Sequence, residues 1–241
     1  MRSLTHVEWW TCGHALAQGN ARRRTHMKTI ALINQKGGVG KTTIAIHLAT
    51  SFWQNGKNAL VLDLDPQASA SEWHDARSIE FPAVMSIQSS RLEKVVEEVR
   101  GIDTEILILD TAPHSEATAL AAARIADLVL VPCHPSIMDL RAMRKTVDLL
   151  RLVKARAFAV LNGVPPQGTV ANEAAETIEH TFGLSVAPVR LGQRVAYDRC
   201  LIAGQTAQEY EPGGKAAEEV QHLYMWTCEN VGITLKERAG V

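Results

Sequence analysis

A chain of 241 residues with only 5% aromatic side chains is long enough for one substantial α/β core, or at a stretch two small domains. Its formal net charge of −1 excludes attraction of the whole molecule to nucleic acid by bulk charge, so any such contact has to come from a local patch. The four cysteines, Cys12, Cys133, Cys200 and Cys228, form no CxxC pair, which argues against metal or iron–sulfur ligation, and no apolar run reaches the roughly 18 residues of a membrane span, so a soluble cytoplasmic protein is expected.

Residues 1–26 stand apart. They carry four Arg and one Glu, a charge of +3 that leaves −4 for the rest, and they show no apolar periodicity or signal-peptide core. They read either as a leader upstream of a functional start at Met27 or as a basic arm. Residues 27–241 read as one domain, opening with a strand over Lys28 to Ile33.

That strand runs into Gln35-Lys36-Gly37-Gly38-Val39-Gly40-Lys41-Thr42-Thr43. Glycines without a Cβ take positive φ, so consecutive amides can turn inward around phosphate oxygens. Lys41 adds a point charge, the helix starting near Thr42 aims its positive end at the same anion, and the Thr42 hydroxyl suits Mg²⁺. The competing reading is a glycine-rich turn between strand and helix. The run departs from G-x-x-x-x-G-K-[ST] in holding Gln35 where the first glycine falls, and it has a second lysine, Lys36.

The following helix carries the stripe Ile44, Ile46, Leu48 and Phe52 and ends at Asn55-Gly56; His47 reads as a surface or packing residue. Asn58 to Leu64 is a nearly continuous apolar strand, as expected when both sheet faces are covered. It ends in Asp63-Leu64-Asp65-Pro66. Strand C-terminal ends gather on the ligand-binding edge of an α/β sheet, and a residue before proline is held extended. Asp65-Pro66 otherwise simply stops the strand, with Asp63 or Ser69 capping the next helix. A strand over Phe81 to Ile87 and a helix with Leu92, Val95, Val96 and Val99 come next. Ile106 to Leu109 then delivers Asp110 in the manner of a strand-end carboxylate for Mg²⁺.

Further on, the pattern predicts a helix over 117–126, a strand over 128–132 and a helix over 137–154 with Leu140, Met143, Val147 and Leu150 inward. Its charged face, which includes Asp139, reads as solvated. A strand over 157–161 leads to Asn162, whose amide suits an adenine edge while Pro165 packs on the ring; an ordinary polar turn is the other reading. A helix over 170–182, a strand over 185–189, an arginine-rich stretch with Arg190, Arg194 and Arg199, and a helix over 216–226 close the chain.

KGGVGKTT at Lys36 to Thr43 resembles the deviant Walker A box of the ParA/MinD family of P-loop ATPases, and DLDPQ at Asp63 to Gln67 resembles the ParA switch segment. The likeness runs from Met27 to about Trp226 and is nearest to short ParA-type (ParF-like) partition ATPases. It implies a doubly wound, mostly parallel sheet flanked by helices, with ATP and Mg²⁺ bound by Lys36, Gly37, Gly38, Val39, Gly40, Lys41, Thr42 and Thr43, and with Asn162 and Pro165 at the adenine. It also implies that Thr42 and Asp110, with Asp63 in support, hold the metal, and that Asp65 orients the attacking water. In the family Lys36 reaches a partner's nucleotide, giving an ATP sandwich homodimer. Such dimers bind DNA non-specifically through basic residues, here Arg190, Arg194 and Arg199, with Lys215, Lys236 and Arg238 as possible contributors. Release comes with slow ATP hydrolysis stimulated by a ParB- or ParG-type activator, and the resemblance implies a nucleoid-associated location. The family usually has two prolines where this chain has Ala112-Pro113. A MinD-like membrane-associated regulator is the alternative, although Gly232 to Val241 is short and weakly amphipathic; a metabolic ATPase is a third reading.

Overall fold

The structure is a computed structural model and describes residues 26–235. The expected leader, Lys236 and Arg238 lie outside the described residues, except for His26. Seven strands, β1 (Lys28–Leu32), β2 (Ala59–Asp63), β3 (Ala83–Ser86), β4 (Ile106–Asp110), β5 (Leu128–Cys133), β6 (Ala157–Val164) and β7 (Val186–Gly192), form one sheet in the order β3-β2-β4-β1-β5-β6-β7. Every pair is parallel. The connections cross over through α1 (Lys41–Gln54), α2 (Ser69–Asp75), α3 (Leu92–Arg100), α4 (Glu116–Ile125), α5 (Ile137–Leu152) and α6 (Val170–Phe182). Three more helices, α7 (Val195–Ile202), α8 (Ala207–Tyr210) and α9 (Lys215–Val231), complete the fold.

The strands are apolar on both faces because helices cover both. Along β1, Ile30 and Leu32 join a core with Ile44, Leu48 and Phe52 of α1 and Val220 and Leu223 of α9. Ala31 and the adjoining Ile33 join the opposite core with Val96 of α3, Ala122 of α4, Met143 of α5 and Ile178 of α6. The period-2 alternation of strand side chains divides the two cores. Phe52 is fully buried, with its ring edge-on to Tyr224 at 5.0 Å. The cavity left by Phe52→Ala is expected to cost about 3–5 kcal/mol.

The expected doubly wound parallel sheet is therefore the observed one, with differences at the C-terminal end. Strand β7 runs on to Gly192, since Leu161 pairs with Arg190 and Val164 with Gly192. Arg190 thus belongs to an edge strand. Helices α7, within the arginine-rich stretch, and α8, beyond it, were not expected from the sequence pattern. The second is closed by a capping box between Thr206 and Glu209. Glu209 also pairs with buried Arg77 at 2.8 Å, and Trp73 Nε1 donates to Gln205 O at 2.9 Å, so α2 is tied to the α7–α8 turn.

Candidate nucleotide site

The C-terminal ends of β1, β4 and β2 lie level, with Leu32 in register with Asp110 and Asp110 with Asp63. Strand β1 feeds the glycine loop at this edge, so the loop and two carboxylates meet here. The loop is pinned from several sides. Asn34 Nδ2 donates to Pro132 O at 2.8 Å while its Oδ1 accepts from Lys36 N at 2.9 Å. The Thr111 hydroxyl donates to Leu32 O at 2.7 Å, and His114 N donates to Gln35 O at 3.0 Å. Pro113 lies in ordinary contact with the position a Gly37 side chain would take. Asn34 and Thr111 carried no signal in the sequence, because their partners are backbone carbonyls brought close only by strand pairing.

Gly38 and Gly40 have φ of 75° and 93°. A Cβ on Gly40 would overlap the Asn162 amide nitrogen and approach its Cγ to 3.3 Å, so glycine is required there twice over. Asn162 Nδ2 donates to Val39 O at 2.9 Å, and Val39 itself is buried. Asn162 thus braces the loop, while Pro165 is exposed just beyond β6. Helix α1 begins with no side-chain cap, and among the described residues no amide from Gly37 to Gly40 makes a protein hydrogen bond. A helix N-terminus with free amides is an anion site.

Lys41 opens α1 and is 6% exposed, yet its Nζ donates only to Lys36 O, at 3.2 Å, and meets no carboxylate within ion-pair distance among the described residues. Burial lowers its pKa, against the pull of Asp110 and Asp65. Asp110 is 1% exposed and, among the described residues, neither carboxylate oxygen has a hydrogen-bond partner of good geometry. Burial pushes its pKa up to about 7; the nearby Thr42 hydroxyl and Lys41 act downward, and Asp63 and Asp65 add to the rise. An unpaired carboxylate in such a place is costly unless a cation joins it.

Asp63 has the same burial and a different fate. Its Oδ1 accepts from Asp65 N at 3.1 Å, and its Oδ2 from Ala70 N at 3.1 Å and Ser71 N at 3.2 Å. Those are the contacts of a helix cap, the simpler of the two readings of Asp63. They hold Asp65 at the rim, where its Oδ1 accepts from Gln67 N at 3.0 Å.

Lys36 points away from the loop. Its Nζ pairs with Asp139 on the first turn of α5, a helix face that sequence patterning assigned to solvent. His47 is buried: Nδ1 lies 2.6 Å from Thr43 O and Nε2 accepts from Ala207 N at 3.0 Å, which fixes a neutral ring protonated on Nδ1. Burial lowers its pKa to about 4, against the Thr43 hydrogen bond and Glu209. It is a packing residue linking α1 to α8.

The three arginines are not equivalent. Arg194 pairs with Glu219 at 2.8 Å, and Glu219 also accepts from Tyr197 and Gly192 N, so this guanidinium belongs to the fold. Arg190 is exposed and donates to Asn172 Oδ1 at 2.7 Å, and Arg199 is exposed on α7. Two shallow surface depressions, one beside Lys28, Asp127 and Glu229 and one beside Arg194, Glu211 and Lys215, both lie away from the loop. The loop is an open rim, recognised by its amides and charges.

Residues 30–206 match the family model described as the CobQ/CobB/MinD/ParA nucleotide binding domain. The "maintenance of carboxysome distribution protein A" of Halothiobacillus neapolitanus is 28% identical over 204 residues, 81% of this chain and 94% of the relative. The "chromosome-partitioning ATPase Soj" of Thermus thermophilus is 38% identical over 151 residues, 58% of this chain and 60% of the relative. Among solved structures, MinD of Pyrococcus horikoshii with Mg-ADP superposes with a TM-score of 0.69 at 16% identity, covering 83% of this chain and 95% of that one. Cyanothece McdA without ligand gives 0.68 at 16%, covering 84% and 100%.

Proposed function

The chain belongs to the CobQ/CobB/MinD/ParA nucleotide-binding family, and from that premise we propose that it is a ParA-type ATPase that positions DNA or another large cargo through an ATP-dependent homodimer. The family is one of P-loop ATPases, with ParA, Soj and carboxysome-distribution proteins among the relatives. The observation that carries the nucleotide site is the buried Asp110 carboxylate with two unpartnered oxygens, beside Thr42 and Lys41 and under a loop of free amides.

These residues fit MgATP. The amides of Gly37 to Thr43 and the unpaired Lys41 would take the phosphates; Thr42 and Asp110 would hold Mg²⁺, with Asp63 securing the segment behind them. The bound ion supplies neutralisation of the charge on the outer phosphate oxygens. Asp65, held at the rim by Asp63 and proline, orients water. Asn162 keeps Oδ1 for the adenine amino group while Nδ2 braces the loop, and Pro165 flanks the ring. Lys36 reaches the nucleotide of the second subunit. Phosphoryl transfer demands chiefly positioning and charge, so a site completed by a partner turns over slowly until an activator of the ParB or ParG kind arrives.

The exposed Arg190 and Arg199 are the candidates for non-specific DNA contact, with Arg194 contributing less because Glu219 neutralises it. The names of the relatives, carboxysome distribution in one and chromosome partitioning in another, make either kind of cargo eligible. Among the described residues no helix is long and apolar enough to cross a membrane.

Co-sedimentation with DNA and with anionic liposomes, each with and without ATP, tests the reading. Retention on DNA should require ATP, ignore sequence and fall steeply with salt. ATP-dependent retention on liposomes alone would favour the MinD-like role.

A further inference from the structure

At the end of the sheet away from the loop, one buried guanidinium gathers three segments. Arg77 follows α2, lies over the Trp73 ring at 4.4 Å and pairs with Glu209. The same guanidinium donates to Gly204 O and to Phe81 O, each at 2.9 Å, so the turn after α7 and the turn before β3 lie side by side. The backbones meet so closely that a Cβ on Gly204 would overlap Ala76 O. Both turns carry apolar side chains that the fold leaves in water: Ile202 is 84% exposed, Ile79 45% and Phe81 38%. The Phe81 ring stacks on half-buried Trp53 near the end of α1, with centroids 6.4 Å apart and planes 13° from parallel. Single exposed apolar residues are ordinary, whereas a contiguous group rimmed by charge marks a binding surface.

The rim is acidic. Asp75 and Glu80 flank the turn before β3, and Asp198 stands one helical turn before Ile202 on α7; all three are exposed and make no ion pair among the described residues. Of the cations close by, Arg77 is taken by Glu209 and Lys57 by Glu105, which leaves Arg199 on α7. Such a rim disfavours nucleic-acid phosphates and anionic lipid. It also lies where the second copy does not reach. Phe81 precedes the first residue of β3 in a parallel sheet whose opposite end carries the loop, and Trp53 is about 18 Å along α1 from Lys41. A dimer closed across the loop leaves this end open; that exclusion alone rests on the sandwich reading above.

We propose that this surface docks a basic amphipathic segment of a partner protein. Its apolar side chains cover Ile202, Ile79 and Phe81, and its Lys or Arg side chains meet Asp75, Glu80 and Asp198. The surface is formed before the partner arrives, because Arg77 already holds the two turns together, so docking costs little ordering of the chain.

The test uses the full chain and a fluorescein-labelled two-heptad peptide of leucine and lysine patterned as an amphipathic helix, with a leucine–glutamate peptide of the same pattern as control. Fluorescence anisotropy should show the lysine peptide bound and the glutamate peptide unbound. Ile202→Ser, at a position open to water, keeps the fold and should weaken the lysine peptide about tenfold. Glu80→Lys should weaken it about fivefold and reduce the salt dependence. Ile137→Ser, an equally exposed change at the loop end, should leave the peptide affinity alone. No binding of the lysine peptide, equal binding of the glutamate peptide, or affinity unmoved by Ile202→Ser overturns the proposal. So does a fall in retention on DNA or anionic liposomes, or a loss of nucleotide-free self-association in sedimentation velocity, caused by Ile202→Ser, since the occupant is then a nucleic acid, a membrane or a second copy. A wild-type chain that binds the peptide in this way but stays single with a non-hydrolysable ATP analogue would sink the sandwich reading and keep the docking surface.

Discussion

Asp63 and Asp110 end neighbouring strands in direct register, and both are shut away from solvent, yet one carboxylate is fully bonded and the other has no hydrogen-bond partner among the described residues. Position and burial are shared; the difference lies in the path of the chain beyond each strand. After β2 the chain turns back into α2 and presents its first amides to Asp63, whereas after β4 it passes on toward Gln35 and leaves Asp110 facing the loop. The bonded acid stabilises the fold and the unbonded one stores a cost that a cation would relieve. The same contrast separates Arg194, neutralised by Glu219, from exposed Arg199.

The sharpest break of the comparison is at Lys41, the unpaired cation facing the unpaired acid. Lys41→Ala should weaken binding of a fluorescent ADP about a hundredfold or more while the protein stays folded; near-normal affinity would remove the loop from its assigned role. Next comes His47, a satisfied buried group like Asp63. Its folded pKa lies below the ordinary value, so the stability it confers is present above about pH 6.5 and is lost as pH falls toward 4. Urea unfolding should show about 3 kcal/mol lost over that window, and His47→Gln should flatten the dependence.

The carboxylates themselves come third. Asp63→Asn should cost about 1–3 kcal/mol in urea midpoint because three amide bonds weaken together. Asp110→Asn should raise the stability of the nucleotide-free protein by about 1 kcal/mol while removing the effect of Mg²⁺ on nucleotide affinity. Equal destabilisation by the two would erase the distinction. Smallest are the arginines: Arg194→Ala should cost up to about 1 kcal/mol, and Arg199→Ala less than about 0.5 kcal/mol while lowering DNA retention. Reversal of that order would show that the Glu219 pair is not the anchor.

The loop was legible because its chemistry is local. Glycine spacing, Lys41 and Thr42 state the geometry within eight residues, and the aliphatic run before Asp110 states a buried strand. Asp63 was legible only as two options, since the choice depended on where α2 would place its amides. His47 sits on a helical stripe that patterning reads as surface or packing, and only the arrival of Ala207 N shows that its ring is a buried, hydrogen-bonded link to α8. The α7 and α8 helices were missed because both are short: α7 starts at Arg194 with no side-chain cap and buries only Tyr197 and Cys200, and α8 is a single turn closed by Thr206 with Glu209.

Composition, the short continuous apolar runs of the strands and the glycine loop pointed to a covered parallel sheet and to the end of it that carries the site, and the family resemblance implied its doubly wound form, because apolar runs and turn chemistry act over a few residues. Which acid stays unbonded, which arginine is neutralised and where Lys36 rests were decided in three dimensions. Each depends on a partner tens of residues away, and charges and hydrogen bonds act over a few ångströms of space with no regard for distance along the chain.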